Sequence, residues 1–260
     1  MRVFTVSDLH VDYRENDHWV SQISQSDYTG DVLLCPGDIS HHISAVRRTL
    51  ERLRCCFREV VYVPGNHELW VPKSENTDSI TRFNEVLAVA ADCGVHTRPL
   101  LIGGLALVPL FAWYDFSFGL PSGHLRSAWV DFHACSWPDA MEAPEVAEYF
   151  RSLNRSGIRN YEAPVISLSH FVPREELLPR PESSRAFLRP VLGSEAIDTQ
   201  VRQLGSKTHI YGHYHVNGRR EFDGVTYINN SFGYPTETYI TAKALVCVAT
   251  SEDFQSKSKT

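Results

Sequence analysis

Five times along this chain a short apolar run ends in a polar block. Val3 to Val6 leads into Ser7-Asp8-Leu9-His10, Val32 to Cys35 into Gly37-Asp38, and Val60 to Val63 into Gly65-Asn66-His67-Glu68. Val165 to Leu168 leads into Ser169-His170, and His209 to Tyr211 into Gly212-His213-Tyr214-His215. A strand that delivers its polar residues into the loop at its end is the grammar of an α/β sheet, where side chains distant in sequence gather at one sheet edge. The five blocks therefore constrain the fold and the location of the chemistry together.

The chain has 260 residues, 43% of them apolar and 22% charged. An α/β chain of this size builds one continuing core, so a single domain over 1–250 is expected, with a polar tail at 251–260. No apolar run is long enough to cross a bilayer. Met1-Arg2 runs straight into the first strand, so a cytoplasmic location is expected. The six cysteines form no Cys-x-x-Cys pair, and the adjacent Cys55 and Cys56 point to different sides of a helix; all six are expected to be reduced. The net charge of −6 lacks the basic excess that grips a long phosphate backbone, which argues against long nucleic acid as partner.

Strand and helix periods alternate through the N-terminal half. Strands are expected over Arg2–Ser7, Asp31–Cys35 and Glu59–Val63. Helices are expected over Asp17–Ser26, behind Ser40 as N-cap with Ile43, Val46, Leu50, Leu53 and Phe57 on one face, and over Asp78–Cys93 up to Gly94. Gly103-Gly104 marks a hairpin within Leu100–Phe111. Strands Pro164–Leu168, Lys207–Tyr211, Val225–Ile228 and Ile240–Thr250, with a helix carrying Ile197, Val201 and Leu204, complete the pattern after a Pro-rich loop from Pro173 to Pro190. Between about 112 and 160 the period is lost among aromatics such as Trp113, Tyr114, Phe116, Trp129 and Trp137, and the stretch reads as a cap-like insertion over the site.

Asp8, His10, Asp38, Asn66, His170, His213 and His215 offer carboxylate, imidazole and amide oxygen, a donor set suited to Mn, Fe, Zn, Co or Ni and needing no thiolate. If Asp8/His10 and His213/His215 lie on strands, each dyad faces one way and clamps one ion, giving two divalent metals.

The ordered blocks Asp-x-His, Gly-Asp, Gly-Asn-His-Glu, lone His and Gly-His-x-His resemble the calcineurin-like metallophosphoesterase superfamily, and the likeness runs from Asp8 to His215. It implies a four-layer α/β/β/α sandwich of two mixed sheets with flanking helices. It further implies that Asp8, His10 and His215 hold one metal, that Asn66, His170 and His213 hold the other, that Asp38 bridges them, and that His67 stands near the leaving oxygen. Two ions about 3.5–4 Å apart ionise a shared water, so direct in-line hydrolysis of a phosphate ester, mono- or diester, is expected without a phosphoenzyme. His67 and Asp38 are the catalytic candidates, and Glu68 is expected to orient its neighbours.

The large insertion favours a small phosphorylated metabolite or nucleotide as substrate. A protein phosphatase or nuclease of the same fold, or a non-catalytic scaffold, are the alternatives; after Gly37-Asp38 the chain reads Ile-Ser-His-His rather than the Val-Asp-Arg-Gly that resembles the protein phosphatases. His41 and His42 at a helix start, with Trp113, Asp115, Arg126 and Asp131 in the insertion, are candidate substrate contacts.

Overall fold

The computed structural model describes residues 1–72, 75–250 and 252–255. Of the polar tail expected at 251–260, residues 251 and 256–260 lie outside the described residues.

The first half is built from β1 (Arg2–Thr5), α1 (Arg14–Ser21), β2 (Val32–Pro36), α2 (Ile43–Cys56), β3 (Glu59–Val63) and α3 (Ser79–Asp92). The hairpin β4 (Leu100–Ile102) and β5 (Leu105–Pro109) follows, with Gly103 and Gly104 both at positive φ, the backbone that a tight two-residue turn requires. Next come α4 (Gly123–Ala128), α5 (Asp131–Ala134), α6 (Ala143–Leu153), β6 (Val165–Leu168), α7 (Arg189–Leu192) and α8 (Glu195–Gln203). The chain finishes with β7 (Thr208–Tyr211), β8 (Gly218–Phe222), β9 (Val225–Asn229), β10 (Val246–Thr250) and α9 (Glu252–Gln255).

Two mixed sheets result. One has the order β10-β1-β2-β3, antiparallel only at its β10 edge; the other has the order β4-β5-β6-β7-β9-β8, antiparallel at both edges. Period-two alternation assigns each strand's side chains to a layer. Val32 and Leu34 meet Leu105, Leu107, Ile166, Leu168 and Ile210 between the sheets. Leu33 and Cys35 point the other way, onto Val46, Leu50, Leu53, Val86 and Ala90 of α2 and α3. On the far side, Ala106 and Val108 meet Val146 and Phe150 of α6 and Ile197 and Val201 of α8. Each of these larger side chains contributes about 1.5–3 kcal/mol by leaving water. The layers are α/β/β/α.

Several boundaries differ from the sequence expectation. The first helix starts at Arg14 rather than Asp17, because Tyr13, in extended backbone, opens it. The second is preceded by His42, with Ser40 two residues further back accepting the His42 amide. Only 246–250 of the expected strand 240–250 pairs with β1, and the exposed edge strand β8 carries no apolar alternation by which to recognise it. The stretch 112–160 is the connection between the parallel strands β5 and β6. Its α6, opened by a reciprocal Glu142/Glu145 capping box and a proline in the first turn, buries Val146, Ala147 and Phe150 in the outer core of the second sheet. The part before α6 runs toward the strand ends where the polar blocks meet.

Candidate metal centre

All five blocks emerge at the same edge of the sandwich, three from the first sheet and two from the second. The loop after β1 runs beside the loop after β2, with the Asp8 amide donating to Gly37 O (2.9 Å) and the His10 amide to Asp38 O (3.0 Å). Ser7 pairs with Ser231 beyond β9, which ties the two sheets together there. Asp8, His10, Asp38 and His213 have φ values of 54, 40, 54 and 63°, in the left-handed region. Non-glycine residues there cost of order 1 kcal/mol or more each and persist where the surroundings impose them. The expectation that each dyad lies on a strand and clamps one ion is therefore corrected: the backbone has left the strand before the donors appear, and alternation does not apply.

The side chains sort into two groups, linked by a third set, His10, Asp38 and His67, that takes one member from each. Donor atoms of Asp8, His10 and His215 lie within 4.8 Å of one another, as do those of Asp38, His170 and His213. The His213/His215 pair is thus divided between the groups. His10 Nε2 lies 3.2 Å from His215 Nε2, and His215 Nε2 lies 3.2 Å from Asp8 Oδ1. His170 Nε2 lies 3.1 Å from both Asn66 Oδ1 and His213 Nδ1. Asp38 Oδ2 stands between the groups, 3.4 Å from His170 Nε2 and 4.0 Å from His10 Nε2. Bonds of about 2.1 Å to one ion place neighbouring donors about 3.0–3.4 Å apart, so this donor set has the spacing of coordination edges.

The outward nitrogens support the same arrangement. His170 Nδ1 meets Pro36 O at 2.8 Å, His213 Nε2 meets Val191 O at 3.1 Å, and His215 Nδ1 meets Glu237 Oε2 at 2.6 Å. Each acceptor takes the ring proton on its side, leaving His170 Nε2, His213 Nδ1 and His215 Nε2 as inward lone pairs. Asp8 Oδ2 accepts from Ser231 Oγ at 2.6 Å and from Ser7 Oγ, and the His213 amide donates to Asp8 Oδ1 at 3.0 Å. Glu68 accepts from the amides of Asp38, Ile39 and Gly65 at 3.1, 2.5 and 2.7 Å, so it pins the β2 and β3 loops together, the orienting place expected for it.

Charge in the cluster is strongly mutual. Burial favours protonation of Asp8 and Asp38, but the facing histidines, His215 and His170 first among them, outweigh it and hold both carboxyls well below the usual range. Burial disfavours charge on His170 and His215 as well, yet Asp38 raises the one to about 9, while Asp8 and Glu237 raise the other to about 10. Burial keeps His213 down at about 3 and pushes Glu68 up to about 7, the latter aided by Asp38. A divalent cation bound by the same atoms takes the place of such protons and leaves every imidazole neutral.

His67 occupies the more open side. Its Nε2 lies 3.8 Å from Asp38 Oδ2, and its ring packs against Trp70, tilted by 32° with centroids 3.8 Å apart. His41 and His42 stand at the rim with Asp12, forming a separate donor group; His41 Nδ1 lies 3.5 Å from Asp12 Oδ1. Trp113 is buried against Tyr114, Trp137 and Phe171, so its ring packs instead of meeting a substrate. Asp115 accepts from Ser194 Oγ at 2.6 Å and from the Ser117 amide, which makes it a loop tie rather than a substrate contact. Arg126 lies over Phe116 and Phe132 on the wall of a small aromatic cavity, and only Asp131 of this group reaches the cluster, through Asn66.

The family model for calcineurin-like phosphoesterases matches residues 1–217. This chain belongs to that family. It is a hydrolase acting on phosphate esters, and the family implies divalent metal ions at the cluster. This phosphoesterase is 25% identical, over 90% of its length and 78% of the relative's, to the [acyl-carrier-protein] phosphodiesterase PptH of Mycobacterium tuberculosis (strain ATCC 25618 / H37Rv). It also resembles the crystal structure of phosphopantetheinyl hydrolase (PptH) from Mycobacterium tuberculosis, with a TM-score of 0.80, 24% identity and 95% of each chain covered.

Sequence reading did not find Glu237, Ser231, Trp70 or Trp129 in this phosphoesterase. None lies in a motif: Glu237 sits in the loop after β9 and meets His215 only because that loop folds back under the β7 end. Among the described residues, no helix is long and apolar enough to cross a membrane, and the six cysteines are free.

Proposed function

We propose that this chain is a two-metal phosphodiesterase whose substrate is a phosphopantetheinyl diester carried by an acyl carrier protein. The observation that carries the reading is the similarity to the acyl-carrier-protein phosphodiesterase across 90% of this chain. Two features of the site support it. No arginine or lysine takes part in the hydrogen bonds or ion pairs of the donor cluster among the described residues, and a diester, with one negative charge, needs less additional cation than a monoester near −2. A groove of about 660 Å³ lies beside the β7 end, lined by Tyr211, Tyr214, Val216 and Asn217 with Arg180 and Arg220 but by none of the seven donors, and its mixed walls suit a slender arm bearing amides. The small phosphorylated metabolite expected from sequence becomes the competing substrate.

Asp8, His10 and His215 would hold one ion and Asn66, His170 and His213 the other, with Asp38 between them. Such a pair, when bound, lowers the pKa of a water molecule and neutralises the phosphoryl oxygens. The chain's residues do the remaining work. Pro36 O, Val191 O and Glu237 keep three imidazoles in the tautomer that turns a lone pair inward. His67, packed against the Trp70 ring with Nε2 3.8 Å from Asp38 Oδ2, would protonate the departing alkoxide from Nε2.

The test compares Mn-loaded protein on phosphopantetheinylated carrier protein, bis-p-nitrophenyl phosphate, p-nitrophenyl phosphate and free nucleotides. The carrier protein is expected to lose the mass of the phosphopantetheinyl group, and the diester chromogen to outpace the monoester by tenfold or more. An intact carrier protein beside rapid monoester or nucleotide turnover would overturn the substrate assignment.

A further inference from the structure

Asp131 opens α5 in the connection between β5 and β6, outside every motif block along the chain, and its side chain is buried. Three N–H groups point at its carboxylate. Asn66 Nδ2 donates to Oδ1 at 2.8 Å, the Trp70 indole to the same oxygen at 2.7 Å, and the Trp129 indole to Oδ2 at 2.8 Å. The other end of the Asn66 amide, Oδ1, faces His170 Nε2 at 3.1 Å.

An amide has one accepting and one donating end, and only the oxygen can bind a cation. Which end faces the cluster is decided by what the opposite end meets. An ionised carboxylate accepts and cannot donate, so Asp131 admits one orientation, with NH2 outward and Oδ1 inward. The same carboxylate oxygen fixes Trp70, whose ring is the platform under His67. One buried group thus governs an amide at the donor cluster and the plane of the proton donor.

We infer that Asp131 is a positioning residue of this phosphoesterase, setting the Asn66 amide for the ion shared with His170 and His213 and, through Trp70, the attitude of His67. The inference rests on the metal-centre reading above. It gives the connection a task beyond covering the sheet.

The test is a double-mutant cycle on metal affinity. Asp131→Asn keeps the shape but brings a donor into a ring of donors. In the Asn66 background it is expected to weaken one of two Mn ions by 10–100-fold in calorimetric titration and leave the other near the wild-type value. In an Asn66→Asp background position 66 has no amide to turn, so Asp131→Asn is expected to leave both affinities within threefold or to raise the weaker. The Trp70 and Trp129 indole N–H resonances of metal-free protein report independently that the carboxylate has been lost, and both are expected to shift. Wild-type affinity for both ions in Asp131→Asn, or an equal loss in both backgrounds, overturns the positioning role. A wild-type protein that takes up no second ion overturns the metal-centre reading itself, and the inference with it.

Discussion

An alanine at Gly65 would place a methyl carbon 2.7 Å from the Asp38 amide nitrogen and 2.8 Å from Asp38 Cγ, and closer still to Oδ1. Ordinary contact is 3.4–4 Å, so the Asp38 carboxyl carbon must retreat by at least ~0.6 Å and its nearer oxygen by about 1.3 Å. The backbone at Gly65 is not left-handed, so the substitution adds little strain of its own and acts through this one collision. Asp38 lies between the two donor groups, and a displacement of about 1 Å at a reacting centre costs about 100-fold in rate, about 2.7 kcal/mol of barrier. Gly65→Ala is therefore expected to lower kcat on bis-p-nitrophenyl phosphate about 100-fold and to weaken Mn binding. Gly224→Ala is the matched control: its φ is +76° and nothing lies within 4 Å of the added carbon, so it should cost about 1 kcal/mol of stability and leave kcat unchanged. Turnover and Mn affinity of Gly65→Ala within threefold of wild type would refute the claim that Asp38 is held to sub-ångström tolerance.

Two further outcomes follow from the same geometry. His67→Ala is expected to lower turnover of an alkyl phosphodiester by about 10²–10³-fold but that of the p-nitrophenyl diester by less than tenfold, since p-nitrophenolate leaves without a proton; equal losses would remove His67 from the acid role. His209, buried between Ser167 and Ser169, is kept down at about 3 by burial, below an ordinary value of 6.5. Its neutral form supports the fold above pH 6.5, and that contribution falls away as the pH drops toward 3, by up to about 1.4 kcal/mol per pH unit. Urea unfolding of wild type and His209→Gln between pH 7 and 5 should therefore show a steeper acid loss in wild type, and parallel slopes would contradict it.

The parts legible in the sequence are those whose signal is local. α3 announced itself by Asp78, whose carboxylate accepts from the amides of Ile80 and Thr81, and by its 3-and-4 apolar period. The five strand-to-block junctions were equally plain, because an apolar run followed by metal-type donors needs no tertiary information to be noticed. Other features arise only when distant segments meet. The resemblance divided His213 from His215 where strand alternation did not, because the division depends on a left-handed turn at His213; the hold on His215 depends on Glu237, 22 residues away. α6 was hidden because its capping residue is Glu142 rather than Ser, Thr, Asp or Asn, and because aromatic residues placed for packing on both sides blurred its period. Asp131 reads in the sequence as a candidate substrate contact, and its acceptor role toward Asn66 is a matter of three dimensions.

The layer of Val32, Leu34, Leu105, Leu107, Ile166 and Ile210 between the sheets does more than exclude water. Because Asp8, Asp38 and Asn66 hang from one sheet and His170, His213 and His215 from the other, its thickness is the spacer that sets the bite of the catalyst. Natural variants of this protein should accept exchanges there that conserve volume and reject those that swell or thin the slab, even where the folded state would tolerate them.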